Sequence, residues 1–171
     1  RRGEQRPLSC YAASLSIEAR LPELTRHLLP VIELVENMSR ELPLGETVPM
    51  TPVIYFGAGA QRTPLHFDPT ENLSIMLQGS KTFRLYPPAD SASLQPRGGR
   101  LAAAACWFNG IVPAVYSDMD AWASAADGRP APIDVEVRAG EMLYLPTAWW
   151  HAVSGSSEAN LSMVFVFEPS E

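Results

Sequence analysis

His66 and Asp68 stand two residues apart in "TPLHFDPTEN" (63–72), in a chain with only three histidines. If this stretch is extended, side chains at i and i+2 share a face, so imidazole and carboxylate can grip one ion. Two imidazoles and a carboxylate on one face, with other positions open, form the triad of non-haem Fe(II) oxygenases. A third ligand must then come from another strand. His151 in "LPTAWWHAV" (145–153) is the candidate, because a late strand of a closed β-structure can lie beside an early one. His27, next to Arg26 in a predicted helix, stands apart from this group. An isolated His-x-Asp pair is a common accident of sequence, so the metal reading depends on His151 joining it.

Lys81 adds a second chemical signal. In "KTFRLYP" (81–87) it shares parity with Phe83 and Leu85, while Thr82 and Arg84 take the opposite face. An ammonium on the apolar face of a strand is costly unless an anion meets it. The plain reading places it at the strand end with its head in water. The sharper one gives it a ligand carboxylate, which suits an iron site with a dicarboxylate co-substrate.

The elements that position these groups are mostly short and β-rich. Runs at 52–57, 63–68, 72–79, 81–87, 133–138, 141–146, 149–154 and 160–168 are separated by Gly, Pro and Asn, as strands are. Eight such runs imply an all-β sandwich or barrel with helices packed outside. The first forty residues read as helical: "LSCYAASLSIEA" has few breakers, Pro22 suits a first helical turn, and Pro30 ends that segment. "VIELVENMSREL" (31–42) is a third helical candidate. This divides one domain over 1–171 into a helical part (1–45) and a β core (50–168). An insertion at about 88–132, rich in Pro, Gly, Ala and Ser, is too long for an ordinary connection and is placed on the surface or facing a substrate. Trp107 and Trp122 fall in it; Trp149 and Trp150 flank His151 and either line a cleft or pack the core.

The 171 residues suffice for one substantial core. The formal charge of −6 argues against a nucleic-acid binder. Cys10 and Cys106 show no metal-type spacing and read as free thiols of an intracellular protein, cytoplasmic or nuclear. The longest apolar run, "LAAAACWF" (101–108), is too short to span a bilayer. "RRGEQRP" at the start shows no signal-peptide pattern and reads as the beginning of an excised or processed domain.

Together, "TPLHFDPTENLSIMLQGSKTFRLYPPAD" and "RAGEMLYLPTAWWHAV" resemble the JmjC-domain (cupin-8 type) 2-oxoglutarate oxygenases. The likeness is nearest to their small hydroxylases, the group that includes factor-inhibiting HIF. It runs from about Tyr11, in "YAASLSIEARLPEL", to Phe167, with the insertion outside it. The resemblance implies a double-stranded β-helix (a jelly roll) with Fe(II) on His66, Asp68 and His151 and 2-oxoglutarate chelating through its keto-acid end. It further implies that Lys81 pairs with the distal carboxylate, helped by the hydroxyls of Thr63 and Tyr11, with Asn72 hydrogen-bonding in the same pocket. Strand alternation alone puts Thr63 opposite to His66, so its role rests on the likeness or on a distortion at Pro64. The implied reaction is hydroxylation of a protein or peptide side chain by O₂, releasing succinate and CO₂, in preference to N-demethylation. The family commonly carries an Asn in the last core strand; here "LSMVFVF" places Val164 there. That departure favours a rival, a cupin that binds metal or serves as a scaffold without turnover. A cupin isomerase or storage protein would leave Lys81 unexplained.

Overall fold

A computed structural model describes residues 10–42, 44–47, 52–97, 114–123, 129–156 and 158–169. Its β1 (Cys10–Ser16), α1 (Ile17–Arg20), α2 (Pro22–Glu41) and β2 (Val53–Ala58) precede β3 (His66–Phe67), β4 (Glu71–Gln78) and β5 (Ser80–Tyr86). A 3-10 helix (Pro88–Ser93), β6 (Val115–Tyr116), β7 (Ile133–Arg138), β8 (Met142–Leu145), β9 (Trp150–Gly155) and β10 (Asn160–Phe167) complete it. One antiparallel sheet runs β1-β2-β10-β4-β8 and the other β6-β3-β9-β5-β7. This is the mainly β, jelly-roll cupin architecture, the double-stranded β-helix.

The strands form where the alternation is cleanest. On β5, Lys81, Phe83 and Leu85 are buried while Thr82 and Arg84 are half-exposed, as their parity requires. Phe83, Leu85 and Val137 of one sheet meet Met76 and Leu145 of the other, so this cluster fills the space between the sheets. A second cluster, with Ile54, Ile75, Met163 and Phe165, lies on the outer face of the first sheet under Ile17 and Val35 of the helices. A third joins Trp150 and Ala152 to Leu94, Val115 and Met119 on the outer face of the second sheet. Trp150, fully buried, is therefore a core residue, with its indole N–H donated to the Ser91 hydroxyl.

The N-terminal segment corrects a sequence expectation. Residues 10–16 form β1 rather than helix, pairing with β2 from Cys10↔Ala58 to Ser16↔Val53. Helix propensity is a weak prior, and an open sheet edge offered hydrogen-bond partners that two Ala in seven residues did not outweigh. The strand has a bulge between Ala12 and Leu15, where Ser14 takes φ 52°, and its Ser16 hydroxyl then caps α1 at Ala19 N–H. Pro30 does not end a helix either: it lies inside α2, which joins the second and third predicted helices. It sits on the exposed side, where water can satisfy the carbonyl its missing N–H leaves free.

Of the predicted strand 63–68 only His66 and Phe67 are in the ladder, with an isolated bridge at Arg62↔Ser154. The segment 114–123 of the predicted insertion is fastened to the second sheet. β6 pairs with β3, and the Trp122 ring lies 5.3 Å from the Arg62 guanidinium and 4.9 Å from that of Arg84. Arg84 is itself held by Asp134 at 2.7 Å. Trp107 and Cys106 lie outside the described residues; Cys10 is a free, exposed thiol. No helix among the described residues is long and apolar enough to cross a membrane.

Candidate metal centre and its anion pocket

The pairing of β3 with β9 sets His66 directly opposite His151, which explains how residues 85 positions apart share one face. Their rings are 4.2 Å apart between centroids. Asp68 follows β3 by one residue and brings its Oδ2 to 3.7 Å from His151 Nε2. The three side chains place one ligand atom each within 4.8 Å of one another. His151 is buried and the other two half-buried, so the group is gathered at the rim of the interior rather than on an open surface.

The protonation pattern suits a metal. His66 Nδ1 lies 2.8 Å from the Pro64 carbonyl and His151 Nδ1 lies 3.0 Å from the Trp149 carbonyl. A carbonyl only accepts, so each Nδ1 carries a proton, and the neutral form of either ring has its lone pair on Nε2, where a cation can take it. Burial, and then the nearby His151 imidazole, pull the His66 pKa down to about 4, so at neutral pH it is an unprotonated ligand. Two free Nε2 atoms and one carboxylate are the donor set that a divalent transition metal takes.

Asn72 joins this group. Its Nδ2 donates to Asp68 Oδ2 at 3.0 Å from buried β4, aiming the carboxylate. An Asn72→Ala variant is expected to bind Mn(II) about 10–100-fold more weakly in a calorimetric titration, because outer partners orient a ligand.

Thr63 resolves its parity conflict through one extra residue. Thr63 N–H donates to the Val153 carbonyl, and its hydroxyl accepts from Val153 N–H at 2.8 Å. From that pair to His66↔His151 the chain takes three steps on one side and two on the other. The surplus residue falls at Pro64–Leu65, the distortion that puts Thr63 and His66 on a common side.

Lys81 lies four residues along β9 from the triad in register, opposite Gly155, and is 4% exposed. Its Nζ donates to the Ser162 hydroxyl of β10 at 2.7 Å and sits 5.4 Å from the Tyr55 ring and 5.8 Å from the Tyr11 ring. Among the described residues no carboxylate pairs with it. Burial lowers its pKa to about 8, and burial together with Tyr55 pushes the Tyr11 phenol up. Tyr11, Gln61, Arg62, Thr63, Lys81, Val153 and Gly155 line one small cavity. A buried ammonium with one hydroxyl partner and, among the described residues, no carboxylate can take an anionic oxygen ligand.

Three of these residues escaped the sequence reading. Ser162 and Tyr55 sit on strands whose pairing Ser162↔Tyr55 brings them to Lys81 from the opposite sheet. Alternation along "NLSMVFVF" puts a polar residue on the inward face, a signal that was present at Ser162. Tyr116 of β6 stands opposite His66 in register, and its ring stacks on that imidazole at 5.3 Å and 23°. His151, His66 and Tyr116 thus form a row across three strands, ending in a ring that is 43% exposed. Val164 is half-buried on the same strand face as Ser162 and pairs with Val53 and Ser74, so the Lys81 partner comes from two residues earlier. His27 is on exposed α2, hydrogen-bonded to Arg26 at 3.2 Å and apart from the triad.

A profile of the family described as "Cupin-like domain" matches residues 1–171. JmjC domain-containing protein 8 of Mus musculus is 34% identical over 104 residues, covering 60% of this chain and 33% of that protein. Lysine-specific demethylase JMJ30 of Arabidopsis thaliana is 30% identical over 116 residues, covering 65% and 24%. HSPB1-associated protein 1 homolog of Danio rerio is 28% identical over 111 residues, covering 64% and 24%. The chain thus spans a quarter to a third of the length of these curated relatives. With a His-Asp-His group that can hold a metal ion inside a jelly roll, the chain belongs to the cupin-like domain family and is similar to JmjC-domain proteins.

Proposed function

We propose that this domain is an Fe(II)- and 2-oxoglutarate-dependent oxygenase that hydroxylates a side chain of a protein or peptide. The observation that carries the reading is the pairing of two features in one interior. A triad with both Nε2 atoms free stands at one position, and a buried ammonium without a carboxylate partner stands four residues along the same strand. A metal site alone would not require Lys81, and an anion site alone would not require the triad. With Fe(II) and 2-oxoglutarate bound, such a site supplies oxidative decarboxylation by O₂, leaving succinate, CO₂ and one oxygen atom for a substrate C–H bond.

The chain's own residues do the positioning. His66, Asp68 and His151 would hold the metal on one face and leave the other open. Lys81, Ser162 and Thr63 would fix the distal carboxylate and so orient the keto-acid end. Met76, Phe83, Leu85 and Leu145 exclude water from the interior between them. Tyr116, exposed beside His66, gives the substrate an aromatic wall at the mouth.

Adding Fe(II) and 2-oxoglutarate without oxygen is expected to produce a visible charge-transfer band, and admitting O₂ to yield succinate. A panel of peptides then identifies the substrate by a mass gain of one oxygen. Formaldehyde release from a methylated lysine peptide would instead indicate demethylation, the activity in the name of the Arabidopsis relative. Val164, apolar on the inward face, favours the second reading, a metal-binding cupin without turnover; a bound metal with neither band nor succinate would establish it.

A further inference from the structure

Gln61 is a polar residue of the Lys81 cavity that none of the preceding roles uses. Its amide orientation follows from its neighbour. Asn160 Nδ2 faces three oxygens: Gln61 Oε1 at 3.2 Å, the Glu158 carbonyl at 3.3 Å and the Ser156 carbonyl at 3.5 Å. An oxygen in that place would repel all three, so the Asn160 atom is the nitrogen. The Gln61 atom facing it is therefore the carbonyl oxygen, and the Gln61 NH₂ is the group left over. That Nε2 is buried and has no partner among the described residues.

The position is built rather than incidental. A Cβ on Gly57 would fall 2.0 Å from Gln61 Oε1 and one on Gly155 would fall 2.4 Å from it. Two glycines, on strands of different sheets, make the space this carboxamide occupies. Gln61 lines the cavity with Lys81, Thr63, Tyr11 and Val153. A buried NH₂ without an acceptor is costly, and so is a buried ammonium without an anion. Gln61 and Lys81 line one cavity, and one carboxylate there, which has about four lone-pair sites on two oxygens, can accept from both.

We infer that Gln61 is a second donor to the distal carboxylate of the co-substrate and helps select a dicarboxylate. The inference rests on the proposed function, and its test keeps the two apart. The chain is loaded with Mn(II), which does not turn over, and titrated calorimetrically with 2-oxoglutarate and with oxalate. Oxalate occupies the metal but has no distal carboxylate. Gln61→Leu is expected to raise the Kd for 2-oxoglutarate about 10-fold, and Gln61→Glu about 100-fold because it adds a like charge. Affinities for oxalate and Mn(II) should stay at wild-type values, which a merely structural role for Gln61 would not predict. Gln61→Glu preserves shape, and alone decides the matter if Gln61→Leu does not fold. If Gln61→Glu binds 2-oxoglutarate as well as wild type does, or weakens oxalate equally, the inference fails and the proposed function stands. If wild-type protein binds Mn(II) and oxalate but not 2-oxoglutarate, the proposed function fails and takes the inference with it.

Discussion

Asp68→Ala is expected to lower Mn(II) or Fe(II) affinity by more than about 100-fold and to end succinate formation, the largest effect of any substitution considered. Asp68 is the anionic member of the triad, so its removal takes away both a ligand and the charge that offsets a dication. It also stands within reach of His151, at 3.7 Å, and accepts from Asn72, so its loss releases two oriented neighbours. Asp68→Asn keeps the shape and loses the charge; it should recover part of the affinity and none of the fixed geometry that two carboxylate oxygens give. Calorimetry under anaerobic conditions reads the metal, and circular dichroism controls for folding. Metal affinity within about threefold of wild type in Asp68→Ala would exclude this carboxylate from the site, since a lost ligand costs more than a lost outer partner.

Lys81→Ala should raise the 2-oxoglutarate requirement about 10–100-fold while leaving metal affinity nearly unchanged, as expected for a charge-assisted hydrogen bond to a carboxylate. The pH dependence has a definite sign. Burial lowers the ammonium's pKa to about 8, so the charge that attracts a carboxylate is present below that pH and lost above it. Affinity for 2-oxoglutarate should therefore hold near pH 7 and fall as pH rises through 8, by up to about tenfold per unit. Lys81→Arg should remove that dependence, because a guanidinium stays protonated throughout. Lys81→Met should leave thermal stability unchanged or raised, since it removes a buried charge whose only close hydrogen-bond partner among the described residues is Ser162. A large loss of stability in Lys81→Met, or equal losses of metal and 2-oxoglutarate affinity in Lys81→Ala, would make the residue structural.

The two predictions differ in how visible their residues were beforehand. His66 and Asp68 were legible because a two-residue spacing on a strand is itself a statement of geometry. Lys81 was legible because its parity conflicted with its charge. Asn72 was named for the co-substrate pocket; that its amide donates to Asp68 depended on how β4 packs beside the end of β3, which no local pattern states. Tyr116 and Gln61 left no signal of their own, since an aromatic in a Pro-rich insertion and a glutamine before a strand are both ordinary.

Local pattern determined the strands of the core, the face each side chain takes and the chemistry of the ligand set. These follow from periodicity and from which groups tolerate burial, both properties of short stretches. Tertiary structure decided the rest. It turned residues 10–16 from a plausible helix into an edge strand, because an unpaired edge is a long-range demand that no local window contains. It placed one surplus residue at Pro64–Leu65, which brings Thr63 to the side of His66, and it seated Tyr116 on His66 and Gln61 between two glycines. Those are matters of register between strands distant in sequence, and register is fixed only when the sheets close around a common interior.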